Sequence, residues 1–147
     1  MSGCSQCTIT DAAFATLAGI HTLDMSWCNQ RTITDAAFVN LRGIHTLNMS
    51  CCSQRTITDA ALINLRGIHT LNISQSRYSE SETKLNITDA AFANLRGIHT
   101  LNMSRCSQPT ITDAAFAYLR GIHMLNMVGC PEALKAAARA SGLPHFF

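Results

Sequence analysis

A block of 24 residues returns along this chain so closely that it sets the architecture before any propensity is weighed. The string Gly-Ile-His falls at Gly19, Gly43, Gly67, Gly97 and Gly121, in steps of 24, 24, 30 and 24 residues. One full copy reads Ile44-His45-Thr46-Leu47-Asn48-Met49-Ser50, then Cys52, then Thr56-Ile57-Thr58-Asp59-Ala60-Ala61. A fixed period of roughly 20–50 residues marks an array in which each repeat is one supersecondary unit that buries its apolar side only against its neighbours.

Within a copy, the residue types dictate the local path. Thr46 to Ser50 alternates polar and apolar, the period of a half-buried strand, so Leu47 and Met49 point inward while Thr46, Asn48 and Ser50 point out. Cys52 then turns inward and Ile57 plugs the core. Thr58-Asp59-Ala60-Ala61 is a helix start: the Thr hydroxyl caps free amides, and the Asp sits well against the positive helix end. Ala61, Leu62 and Leu65 lie on one helical face, Arg66 meets the negative end, and Gly67 permits the left-handed closure. The pattern recurs over Asp35–Arg42, Asp89–Arg96 and Asp113–Arg120. Five Asp and four Arg of these rows make up nine of the 20 formal charges, so they count as part of the repeat rather than as a charged binding surface.

Composition narrows the class. At 147 residues the chain is one domain's length, 47% apolar content suffices for a continuous core, and a net charge of +2 exerts little pull on nucleic acid or anionic membrane. No apolar run reaches the ~20 residues of a membrane span, and residues 1–17 lack a signal peptide's basic start and apolar centre. Of seven cysteines, Cys4, Cys28, Cys52, Cys106 and Cys130 share one repeat position; only Cys7 and Cys51 fall off it. That spacing reads as a row of small buried thiols in a reducing compartment, hence an intracellular protein of cytoplasm or nucleus.

The string Ile44-x-x-Leu47-x-Met49-x-x-Cys52, followed by Ile57-Thr58-Asp59-x-x-Leu62-x-x-Leu65, resembles a leucine-rich repeat. The Cys and the Ile-Thr-Asp make it similar to the cysteine-containing subclass familiar from the substrate-reading halves of F-box ubiquitin-ligase adaptors. The resemblance spans roughly residues 1–130 and implies an α/β fold: a right-handed solenoid bent into a horseshoe arc, with a parallel β-sheet on the concave face and α-helices on the convex one. The expected organisation is an array of about five repeats over 1–130 and a helical C-terminal cap over 131–147.

The array's ends and its one irregularity carry further expectations. Met1-Ser2-Gly3-Cys4 aligns with Met49-Ser50-Cys51-Cys52, so the sequence enters the array part-way through a strand, without the polar cap that repeat arrays need. A homodimer through residues 1–17 would cover that face. At the far end Pro131 suits a helix's first turn, Glu132 to Ala140 reads as helix, Gly142 and Pro144 stop it, and His145-Phe146-Phe147 is expected to fold back on the core. The 30-residue step adds six residues near 77–84 and puts Ser76 at the Cys position. Insertions of this kind map to loops and binding faces, which makes Arg77 and Tyr78 candidate anchors.

For chemistry the rows are tempting but repetitive. His21, His45, His69, His99 and His123 should line up at a spacing of about 4.8 Å, hydrogen-bonded from strand to strand. A straight row offers an ion two neighbours at best, where zinc wants three or four converging ligands, so no metal is expected. Asp24, Asn48, Asn72, Asn102 and Asn126 form a second row, able to hydrogen-bond along the stack or to meet a partner's backbone. Trp27, Arg105 and Met124 break the copying on this side. Arg31, Arg55, Arg77 and Arg105 would make a thin basic rim, too weak for nucleic acid. Cys and His come as rows, not as one converging constellation, and no phosphate-loop, zinc-protease, serine-elbow or dinucleotide motif is present, so neither an enzyme nor a cofactor is expected.

The expected function is a non-enzymatic scaffold that binds a protein or peptide on its concave face through Trp27, His45, Asn48, His69, Asn72, Arg77, Tyr78, His99, Asn102 and Arg105. The alternatives are a self-associating module paired through its first repeat, or the substrate-recognition fragment of a ubiquitin-ligase adaptor.

Overall fold

The computed structural model describes residues 9–76 and 85–146. The expectations that rest on residues 1–8, on Arg77 and Tyr78 in the insertion, and on Phe147 lie outside them. Five three-residue strands, Thr22–Asp24 (β1), Thr46–Asn48 (β2), Thr70–Asn72 (β3), Thr100–Asn102 (β4) and Met124–Asn126 (β5), form a parallel sheet in chain order. Their register is unbroken: Leu23, Leu47, Leu71, Leu101 and Leu125 lie side by side, and all five are buried. Each repeat's return segment therefore stacks on the one before, because the strands it joins are neighbours.

The return segments correct the expectation of a regular α-helix per repeat. Among the described return segments only Asp59–Ile63 (α1) and Asp89–Phe92 (α2) are α-helical; Asp11–Leu17, Asp35–Leu41, Ala93–Leu95 and Asp113–Tyr118 are 3₁₀ turns. These segments are only three to seven residues long, and the 3₁₀ form is used in such short pieces. Phe14, Phe38, Leu62, Phe92 and Phe116 pack inward from these turns with no measurable exposure. The Cys row is buried too, but does more than fill space. The thiols of Cys52, Cys106 and Cys130 donate to carbonyls of Met25, Ile73 and Met103, one repeat earlier, at 3.1–3.4 Å.

The charged rows also act between repeats rather than within them. Asp11, Asp35, Asp59 and Asp89 each accept the backbone N–H and the hydroxyl of the Thr that opens the next repeat's helical turn (Thr34, Thr58, Thr88, Thr112), at 2.6–2.7 Å. The same Thr oxygens accept an N–H two residues on, as the capping pattern predicts. Arg42 and Arg66 donate from Nε to Asn64 and Asn94 of the following repeat at 2.9 Å, and Arg96 lies over the Tyr118 ring. Pairing with a helix dipole is thus not what these Arg residues do. Arg42 and Arg96 have already left helical geometry, and turns this short carry little macrodipole.

The cap holds a helix, Glu132–Ala140 (α3), with Pro131 at its N-cap, one position ahead of the first turn, and Glu132 paired with Lys135. Leu134 and Ala138 close the apolar end of the array. After Gly142 (φ 68°) the chain returns as His145–Phe146 (β6), a sixth parallel strand on β5.

Candidate interaction surface

The open face of the sheet presents the polar residues of each strand in rows one strand apart. The histidines stack face to face: centroids are 4.5 Å apart for His21–His45, His45–His69 and His99–His123 and 4.4 Å for His69–His99, with interplanar angles of 12–23°. This corrects the expectation of ring hydrogen bonds between strands. Nδ1 of His21, His45, His69 and His99 instead pairs with Oγ1 of the adjoining Thr on its own strand, at 3.1–3.3 Å. Strand-to-strand bonding falls to the backbone, where His21 O accepts from the N–H groups of both His45 and Thr46. Partial burial of the His69 ring, then the neighbouring His99 and His45, hold its pKa below the ordinary imidazole value. Lone pairs lie in the ring planes, so stacked neighbours cannot aim at one ion. Among the described residues no three His, Cys, Asp or Glu groups are placed to hold a metal.

The Asn row is only marginally linked along the stack. Among the described residues a single bond, Asn48 Nδ2 to Asp24 Oδ2 at 3.2 Å, joins neighbours. The side-chain carbonyls of Asn48, Asn72, Asn102 and Asn126 turn back on their own chain and accept the N–H two residues on, at 3.0–3.1 Å. Asp24 does the same for Ser26, which is why the hydroxyl and then the N–H of Ser26 pull its pKa down. These amides end the strands and cap the following turn; their NH₂ groups remain as donors to the face.

The turn they cap explains Trp27. Trp27, Cys51 and Arg105, in phase with one another, adopt φ of 61°, 58° and 59°, the left-handed region that costs an L-residue roughly 1–2 kcal/mol. The sequence carries a signal for this: Gly129 stands in the same phase of the last repeat. The strained turn keeps the ladder going, since Trp27, Cys51 and Arg105 donate their N–H to Ser50, Ser74 and Val128. It also throws the side chain outward: Trp27 is 52% exposed. Arg105 instead lies across the next repeat, its Cγ 2.9 Å from where a Cβ on Gly129 would stand, so it is half-buried and not a free rim charge. Arg31 and Arg55 are exposed and border a cleft of about 600 Å³ with Asn29, Ser53 and Thr56. Met124 and Val128 add exposed apolar surface at the last full strand.

Of the sequence-predicted partner residues, the structure brings His45, Asn48, His69, Asn72, His99 and Asn102 onto one continuous face. It sets Trp27 at that face's edge and folds Arg105 against Gly129. The thiols of Cys28, Cys51, Cys52, Cys106 and Cys130 form no disulfide. Burial pushes Cys52 up to about 12 and raises Cys130 and, despite Arg105, Cys51, which works against thiolate chemistry at these positions. No protein-family model matches the chain, and no curated protein matches it.

Proposed function

We propose that the chain is a leucine-rich-repeat solenoid of the cysteine-containing kind. In this reading it is a non-enzymatic intracellular scaffold whose open sheet face, the inside of the arc, receives a protein or peptide. The observation that carries this reading is the face itself: five strands in unbroken register present hydroxyl, imidazole and amide groups and, on the last, Met124, with no charge among the described strand residues except Asp24, bordered by an exposed Trp27. The carbonyls of the Asn side chains are already engaged, so the Asn row offers a partner its NH₂ donors, beside the imidazoles and Trp27's apolar ring. Such a surface is ordered before the partner arrives, and association loses little side-chain entropy there. Tyr and Trp anchors of this sort dominate interface energetics.

Affinity capture from the native cell tests the choice of face. Wild type is compared with Trp27→Ala and Asn72→Arg on the sheet side, and with Ala60→Arg on the helical side. Loss of one partner with the first two and its retention with the third is expected. Identical partners from all four proteins would sink the assignment.

A further inference from the structure

Four Asp carboxylates in this molecule are occupied in one way, and a fifth stands open. Each of Asp11, Asp35, Asp59 and Asp89 grips the N–H and hydroxyl of the next repeat's Thr. Two residues upstream of that Thr, in three of the repeats, a second hydroxyl makes another anchor: Thr32, Thr56 and Thr110 donate to the carbonyls of Ile9, Ile33 and Ile87 at 2.5–2.7 Å. The residue between the two Thr, such as Ile57 or Ile111, is buried. A Thr-Ile-Thr segment is therefore what a repeat lays on the Ile-Thr-Asp of its predecessor.

After the last Asp no such segment follows, because the chain runs from Cys130 straight into Pro131 and α3. Among the described residues no hydrogen bond ends on the Asp113 carboxylate, which is exposed where its four counterparts are half-buried. Ile111, Thr112 and Asp113 instead form one wall of a cleft of about 400 Å³, and Pro131, Leu134 and Ala137 form the other. That volume lies within the roughly 300–1,000 Å³ of ligand clefts.

We propose that this cleft binds an extended Thr-apolar-Thr segment, with Ser tolerated for either Thr, of a partner protein, laid against Ile111–Asp113 as one more rung. The second Thr gives its N–H and hydroxyl to Asp113, a charge-assisted pair. The first gives its hydroxyl to the Ile111 carbonyl, and the apolar side chain between them enters the gap beside Leu134 and Ala137. A second copy of this chain also offers a Thr at the clamped position, Thr10, whose N–H and hydroxyl are held by no carboxylate among the described residues. However, β6 covers the edge of β5 and keeps another whole repeat from stacking there, so a peptide fits where a second array does not. The site is separate from the sheet face and stands or falls independently of it.

The test is titration of labelled Thr-Ile-Thr-Asp-Ala-Ala, blocked at both ends, followed by fluorescence anisotropy. Wild type should bind it saturably. Asp113→Ala, and Ala133→Phe, which fills the cleft from an exposed position without touching the carboxylate, should each weaken binding at least about tenfold, as should Val in place of the second Thr. Both variants should keep the wild-type circular dichroism spectrum. Unchanged affinity in both variants, or no saturable binding by wild type up to about 1 mM, would overturn the proposal. A concentration-dependent dimer abolished by Thr10→Val would also overturn it, by giving the cleft to a second copy.

Discussion

Asp59 shows how much a single residue here depends on a neighbour distant in sequence. Its two oxygens hold Thr88, 29 residues away, across the long repeat. That partner is not legible locally: a Thr-Asp pair at a helix start is equally well explained by capping and dipole effects, and only stacking brings the next Thr within reach. Removing the clamp should cost more than a surface charge does. Asp59→Ala is expected to lower unfolding free energy by about 2 kcal/mol, the scale of hydrogen bonds to a charged group. Asp113→Ala, at the same position of the last repeat, should change it by less than about 0.5 kcal/mol. Urea denaturation of the two variants side by side checks this, and equal losses would mean that the carboxylate acts through something other than the clamp. The left-handed turn at Trp27 was similarly hidden, since alternation marks which side chains point out but is blind to the sign of φ.

At the scale of the element, the histidine row couples five strands through one titratable group. The positions and rough spacing of the row were readable from the repeat; that rings stack instead of bonding between strands was not, because it depends on the in-register approach of planar side chains, four of which have Nδ1 held by the adjoining Thr. Protonation sets like charges against one another within this stack. His69 has its pKa lowered by partial burial, then by His99 and His45, so the folded protein holds its proton less tightly than the unfolded chain, whose imidazoles titrate near ~6.5. The sign follows: this contribution is complete above the unfolded value and is lost as pH falls through the depressed folded one. Of the carboxylates with shifted pKa, Asp24 on β1 is lowered by Ser26, and Glu132, away on the cap helix, is lowered by Lys135. Both act at more acidic pH. Urea midpoints should therefore drop between pH 7.5 and pH 5.5, with a shallower drop in His69→Asn. A wild-type midpoint that is flat across this window would remove the row as a source of acid sensitivity.

For the whole molecule, the cap decides where stacking stops. α3 covers the apolar end with Leu134 and Ala138, while β6 pairs the outer edge of β5. An array trimmed of 131–147 exposes that edge and the core side of the last repeat, and open edges with apolar neighbours associate. Light scattering should show the truncated chain as oligomers or aggregates at concentrations where the full chain does not associate through this end. A truncated protein with unchanged size would show that the cap is dispensable. No helix among the described residues is long and apolar enough to cross a membrane. The sequence by itself determined the repeat, the strand faces, the Thr-opened turns, the buried Cys row and the terminal helix, because each follows from spacing and residue type within one period. The tertiary structure decided what the copied polar residues hold: Asp on the next Thr, Arg on the next Asn or Tyr ring, thiol on the preceding carbonyl, imidazole on imidazole. It also chose 3₁₀ turns over full helices, turned Trp27 outward and left Asp113 open. Those outcomes depend on atoms about one repeat apart in the chain, which only stacking brings together, and on the point at which the cap ends that stacking.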